Sequence, residues 1–148
     1  MIGGAVPPTI GRAARPEGSS GMISDERFLR AIELFDAGEF FACHDVLEDL
    51  WSETYSDERD FLQGLIHAAV ALHHFEGGNL GGARKMFDSQ AKYLRPYQPI
   101  FAGVDLVEFQ HRMSTCFEEL LKAESYPLGV QLDIARVPRI SDCLTRGD

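Results

Sequence analysis

The residues of this chain best suited to chemistry lie in two short stretches, His44-Asp45-Val46-Leu47-Glu48 and Gln63 to His74. On a helix of 3.6 residues per turn, Gln63, His67 and His74 fall in one narrow sector, with Val70 between them. His44 and Glu48 stand at i and i+4, on the shoulder of an apolar arc that also carries Trp51. If the two shoulders meet, imidazoles and a carboxylate converge inside a helical bundle, which is how bundle cores build metal sites. Neutral imidazoles with a carboxylate suit zinc or non-haem iron, and a two-His, one-carboxylate set with open positions activates a bound water. The candidate metal ligands are therefore His44, Glu48, His67 and His74. Gln63, Trp51 and Asn79 are the candidate contacts to a small polar ligand, with Gln63 as orienter.

A plainer reading uses the same residues: a hydrogen-bonded His, Gln and Glu network that locks helix register and does nothing else. None of the spacings is a specific motif, since H-D-V-L-E is not H-E-x-x-H. There is no Gly-rich phosphate loop, no G-x-S-x-G elbow and no nucleophile with an evident base. Gly77-Gly78-Asn79-Leu80-Gly81-Gly82 joins helices without a preceding strand, which excludes a dinucleotide fingerprint. Trp51 reads as a core aromatic or as an indole donor lining a pocket. Asn79 reads first as a helix cap. His73, on the Leu62 and Ile66 side, is expected to be a satisfied core residue, His111 to be solvated, and Cys43 and Cys116 to be small core residues.

These side chains need helices to hold them. The first should start with Ser24 as N-cap, run inward on Phe28, Ile32 and Phe35, and stop at Gly38. A second, from about Glu39 to Glu53, buries Phe40, Cys43, Val46, Leu47, Leu50 and Trp51, with Ala42, Asp45 and Asp49 opposite. The third begins near Ser56 or Asp57 and ends at Gly77-Gly78; with no charge from Phe61 to Phe75, it should be central. The fourth, capped by Asn79, ends before Pro96 with Leu80, Ala83, Phe87, Ala91 and Leu94 inward. After a loop from Tyr97 to Gly103, a fifth runs from Asp105 to about Glu124. The tail, with Pro127 and Pro138 and alternation at Val130, Leu132 and Ile134, predicts an extended strap.

Ala31, Phe35, Gly38, Phe40, Cys43 and Leu47 have counterparts of similar character at Ala71, Phe75, Gly78, Leu80, Ala83 and Phe87. This faint repeat resembles the tetratricopeptide hairpin, although Gln90 departs from it and two hairpins are fewer than a solenoid needs. The expected fold is all-α: a compact bundle of about five helices, built from two antiparallel hairpins, a fifth helix and an extended C-terminal strap. Residues 1–22, rich in Gly, Pro and Ser, are expected to be disordered, and residues 23–148 to form one helical domain.

The chain of 148 residues is long enough to bury an ordinary apolar core without a metal or disulfide staple. Fourteen Lys and Arg against 23 Asp and Glu leave a formal charge of −9, which repels phosphate backbones and anionic membranes. No nucleic acid and no membrane partner is expected. Three cysteines without C-x-x-C spacing suit reduced thiols in a cytoplasm.

The run FDAGEFFACHDVLEDLW, followed by FLQGLIHAAVALHHFEGGNLGGARKMF, resembles the family called domain of unknown function 309. The likeness covers about residues 26 to 96, with weaker echoes in GVDL and PRI. It rests on F-x-x-G-x-F, then H-x-x-x-E-x-x-W, then Q-G-L-I and G-N-x-x-G-A in order; one departure is Asp45, where the family often has Glu after the histidine. The resemblance implies a compact all-α fold and supplies no reaction, ligand or cofactor. It places His44, Glu48, Trp51, Gln63, His67 and Asn79 at motif positions.

Two functions remain open. One is a metal or small-ligand site between the second and third helices, with hydrolysis as its catalytic extension. The other is a non-enzymatic module of tetratricopeptide-like hairpins presenting a groove to a protein partner or to a second copy. The residues alone assign no reaction.

Overall fold

Phe28, Ile32 and Phe35 recur at helical spacing, and in the computed structural model they are buried along α1 (Glu26–Asp36). The structure describes residues 25–124 and 129–145; the expectations for residues 1–22 and for Ser24 lie outside them. The cap observed is Asp25, whose carboxylate accepts from the Arg27 N–H at 2.8 Å. The helix closes on Gly38 at φ +80°, and the Glu39 N–H reaches back to the Leu34 carbonyl at 2.8 Å.

Three more helices follow: α2 (Phe40–Ser52), α3 (Glu58–Glu76) and α4 (Leu80–Leu94). α3 closes as α1 does, with Gly78 at φ +83° and the Asn79 N–H on the His74 carbonyl at 2.8 Å. The sequence repeat therefore has a physical basis, a left-handed glycine ending the first helix of each hairpin. α1 packs on α2, α2 on α3, and α3 on α4. Gly64 faces Tyr93 and Leu94 at one end of the α3 and α4 pair, while His74 meets Gly82 at the other, so the two helices run antiparallel. A Cβ at Gly64 would stand 2.5 Å from Leu94 Cδ2, so this glycine permits the close approach.

α4 departs from its expected pattern at one residue. Gln90 is fully buried where Ala91 was expected to point inward, and Ala91 is only partly buried. Gln90 and Gln110 exchange two amide hydrogen bonds, at 3.0 and 2.7 Å, which satisfies the buried side chain.

A 3₁₀ turn (Arg95–Tyr97) leads into a small antiparallel hairpin of β1 (Ile100–Phe101), within the stretch read from sequence as loop, and β2 (Val104–Asp105), just after it. Its Phe101 packs against Phe61 and Tyr97 at 4.9 and 4.8 Å between ring centres. The expected fifth helix is divided at Phe117 into α5 (Leu106–Cys116) and α6 (Glu118–Lys122). Phe117 is buried against Phe75 and Phe87, at 5.0 and 4.9 Å. Most of the described chain is helical, as expected.

Over residues 129–145 the tail is a strap with two 3₁₀ turns, Ile134–Arg136 and Ile140–Cys143; the expectation for Pro127 lies outside the described residues. Val130 and Leu132 pack partly buried against the core as the alternation predicts, but Ile134 is 82% exposed, and the fully buried anchors are Ile140 and Cys143. Asp36 accepts hydrogen bonds from the N–H groups of Ile140 at 2.7 Å and Ser141 at 3.4 Å. Leu144 bridges to Val104, and the Thr145 N–H donates to Gly103 at 2.7 Å. No helix among the described residues is long and apolar enough to cross a membrane.

Candidate functional site

α2 buries Phe40, Cys43, Leu47 and Leu50, which leaves His44 at the edge of the buried arc and Asp45 and Glu48 exposed beside it. Glu48 Oε2 lies 3.2 Å from His44 Nε2, and Asp45 Oδ1 lies 3.3 Å from Nδ1. Nδ1 is buried and has no hydrogen-bond partner, because the Asp45 oxygen is within ion-pair range but out of hydrogen-bonding alignment. One ligand atom from each of His44, Asp45 and Glu48 falls within 4.8 Å of the others, the one such group of three among the described residues.

The polar stripe of α3 faces α4 rather than α2. His67 Nδ1 lies 2.7 Å from Ser89 Oγ on α4, its Nε2 lies 2.7 Å from Gln63 Nε2, and its ring meets Tyr93 edge-on at 5.2 Å. Burial pushes the His67 pKa below its ordinary value and favours the neutral ring. His74 Nδ1 lies 3.3 Å from Asn79 Nδ2, and Asn79 Oδ1 accepts from the Gly82 N–H at 3.0 Å. Asn79 is thus the cap of α4, as its position suggested.

The structure therefore keeps His44 with Glu48, and His67 with Gln63, but does not bring the two sets together. The reason is angular. Leu62 and Ile66 are buried in the core, and the sector holding His67 and His74 is turned to α4, so the shoulders of α2 and α3 do not share a hollow. Trp51 is partly buried with the Arg59 guanidinium 3.7 Å above its ring, a cation–π contact that covers one ring face. His73 is a correction. Its side chain is 45% exposed, because at that end of α3 the antiparallel α2 is only starting, and Phe41, 5.4 Å away, is its aromatic neighbour there. His111 is exposed, as expected.

Two residues escaped the sequence reading. Asp45 was placed on the outer face of its helix, although a carboxylate next to a histidine was itself a signal. Ser89 is part of a stripe with Lys92, Tyr93 and Pro96 at helical spacing, which an outward-face reading passed over. The three thiols are buried, and burial pushes Cys43 and Cys116 up to about 12 and Cys143 up to about 11, far from a reactive thiolate.

Comparison with known proteins agrees with the resemblance read from the motifs. Residues 28–86 match the family described as "Domain of unknown function (DUF309)". That stretch contains His44, Asp45, Glu48, Trp51, Gln63, His67 and Asn79, and stops short of Ser89. The chain is similar to the "Uncharacterized protein YpuF" of Bacillus subtilis, with 26% identity over 98 residues, 64% of this chain and 56% of that one. It is also similar to an "Uncharacterized protein" of Aquifex aeolicus, with 39% identity over 77 residues, 51% of this chain and 23% of that one. It thus spans about half the length of the first relative and under a quarter of the second, and neither name states an activity.

Proposed function

We propose that this helical domain binds a divalent transition-metal ion at His44, Asp45 and Glu48. The observation that carries this reading is the His44 ring, whose buried Nδ1 lacks a hydrogen-bond partner while two carboxylates stand within 3.3 Å of its nitrogens. A buried polar atom without a partner is costly, and a cation shared by imidazole and carboxylates is one physical way to offset that cost. One ring nitrogen and two carboxylate oxygens make a three-ligand set suited to zinc or non-haem iron, with positions left for water or substrate. Water activation for hydrolysis is the chemistry such an open site supports. His67 and His74 are not ligands in this proposal, because each already has a partner facing α4. A cytoplasmic location fits three buried free thiols.

The test is titration of tag-free protein with zinc chloride and with ferrous iron under argon, followed calorimetrically. Stoichiometric binding that is lost in both His44→Ala and Glu48→Gln but kept in His67→Ala is expected. No binding by the native protein, or equal loss in His67→Ala, would overturn the three-ligand site. The partner-module alternative requires a contiguous apolar groove. The most exposed large apolar side chains, Tyr55, Ile134 and Phe41, stand on separate elements, so no observation favours that alternative.

A further inference from the structure

Away from His44, α3 and α4 border an open cleft of about 420 Å³, lined by Asp60, Ser89, Lys92, Tyr93, Pro96 and Tyr97. Its size lies at the lower end of the range for small-molecule pockets, roughly 300 to 1,000 Å³. The cleft carries one ammonium and one carboxylate. Among the described residues neither Lys92 nor Asp60 has an ion-pair partner, and they are not within 4.0 Å of one another. Arg84, by contrast, pairs with Asp88 on the same helix, and Arg112 with Glu108 on α5.

The antiparallel pairing of α3 and α4 sets the order of groups along the cleft. Ser89 lies at the level of His67, and Asp60, two turns earlier on α3, lies towards Pro96 and Tyr97. At the Ser89 end, an amide nitrogen can only donate, so Gln63 Nε2 gives its proton to His67 Nε2. The His67 proton is then on Nδ1 and is donated to Ser89 Oγ, which leaves the serine hydroxyl proton free for an acceptor in the cleft. The relay ends in a donor on the helix that carries Lys92. The opposite end holds the Asp60 carboxylate, and Tyr93 and Tyr97 form part of the walls.

We propose that this cleft binds a small zwitterion, its anionic end on Lys92 and the Ser89 hydroxyl, its cationic end on Asp60, and its middle against the two tyrosines. The two charges must be separated by a spacer in the ligand, because Lys92 and Asp60 are themselves apart. This site is independent of the metal proposal, which uses the opposite shoulder of the bundle.

The probe is 4-(aminomethyl)benzoate, which has an ammonium and a carboxylate at opposite ends of an aromatic ring, titrated into metal-free protein and followed by amide chemical shifts. Its one-charge analogues 4-methylbenzoate and 4-methylbenzylamine are the controls. Shifts should map to Ser89, Lys92 and Tyr93 with a Kd of about 1 mM or tighter. Each analogue should bind at least about fivefold more weakly, and so should the native probe to Asp60→Asn or Lys92→Met. Both substituted side chains are exposed, so folding is kept and a melting curve verifies it. Saturation of His44→Ala with unchanged affinity would show that the cleft stands apart from the metal site. Absence of shifts, shifts mapping elsewhere, or an analogue binding as well as the zwitterion would overturn the proposal.

Discussion

His67 shows how much one side chain's surroundings decide. Its ring bridges two helices through Ser89 and Gln63, and burial lowers its pKa from 6.5, so the folded protein resists protonating it. As pH falls below 6.5 the unfolded chain takes up this proton before the folded one does, and stability must fall in that window. The native protein is therefore expected to lose more stability between about pH 7.5 and about pH 5 than His67→Gln does, measured by urea unfolding at each pH. Parallel curves for the two proteins would show that burial of the ring carries no such linkage. In the same sample, nitrogen shifts of His67 should report the Nδ1–H tautomer, since the Gln63 amide nitrogen donates to Nε2.

Among the elements, α4 carries the largest share of what periodicity did not show. Its Gln90 sits where a small apolar residue was expected, and the exchanged amide pair with Gln110 ties α4 to α5. Replacing Gln110 by leucine leaves the buried Gln90 amide without its partner, at a cost of about 1 to 3 kcal/mol. The double variant Gln90→Leu with Gln110→Leu should recover part of that loss, because an apolar pair has nothing left unsatisfied. Chemical denaturation of the two singles and the double checks it, and additive losses would mean that the pair is not coupled. The break of α5 from α6 at Phe117 is a second element-scale decision, with the ring buried between Phe75 and Phe87.

Across the whole molecule, the strap joins residues far apart in the chain. Asp36 at the end of α1 accepts from Ile140 and Ser141, while Leu144 pairs with Val104 of β2 and Thr145 with Gly103 of the hairpin loop. Asp36→Ala would leave two partly buried N–H groups without an acceptor, and a loss of about 1 to 3 kcal/mol is expected. Hydrogen exchange should then quicken at Ile140 and Ser141 well before it does in α3, and uniform exchange would count against a locally held strap. The Arg27 guanidinium makes a comparable long-range tie by reaching Asp49 and Glu53 on and just beyond α2. Those groups are exposed, so salt weakens that tie more than it weakens the strap.

Periodicity, caps and left-handed glycines were sufficient to place α1 to α4 to within about two residues, because these depend on neighbours in the chain. The motif H-x-x-x-E-x-x-W likewise paired His44 with Glu48, since i and i+4 on one helix meet whatever the fold. Rotation of α3 about its own axis was not legible, and it decided that His67 and His74 turn to α4. The partners Ser89, Gln110, Phe41 and Asp36 come from distant parts of the chain. Their contacts exist only once the helices have packed, and side-chain spacing within one helix holds no record of which neighbour its polar sector will face.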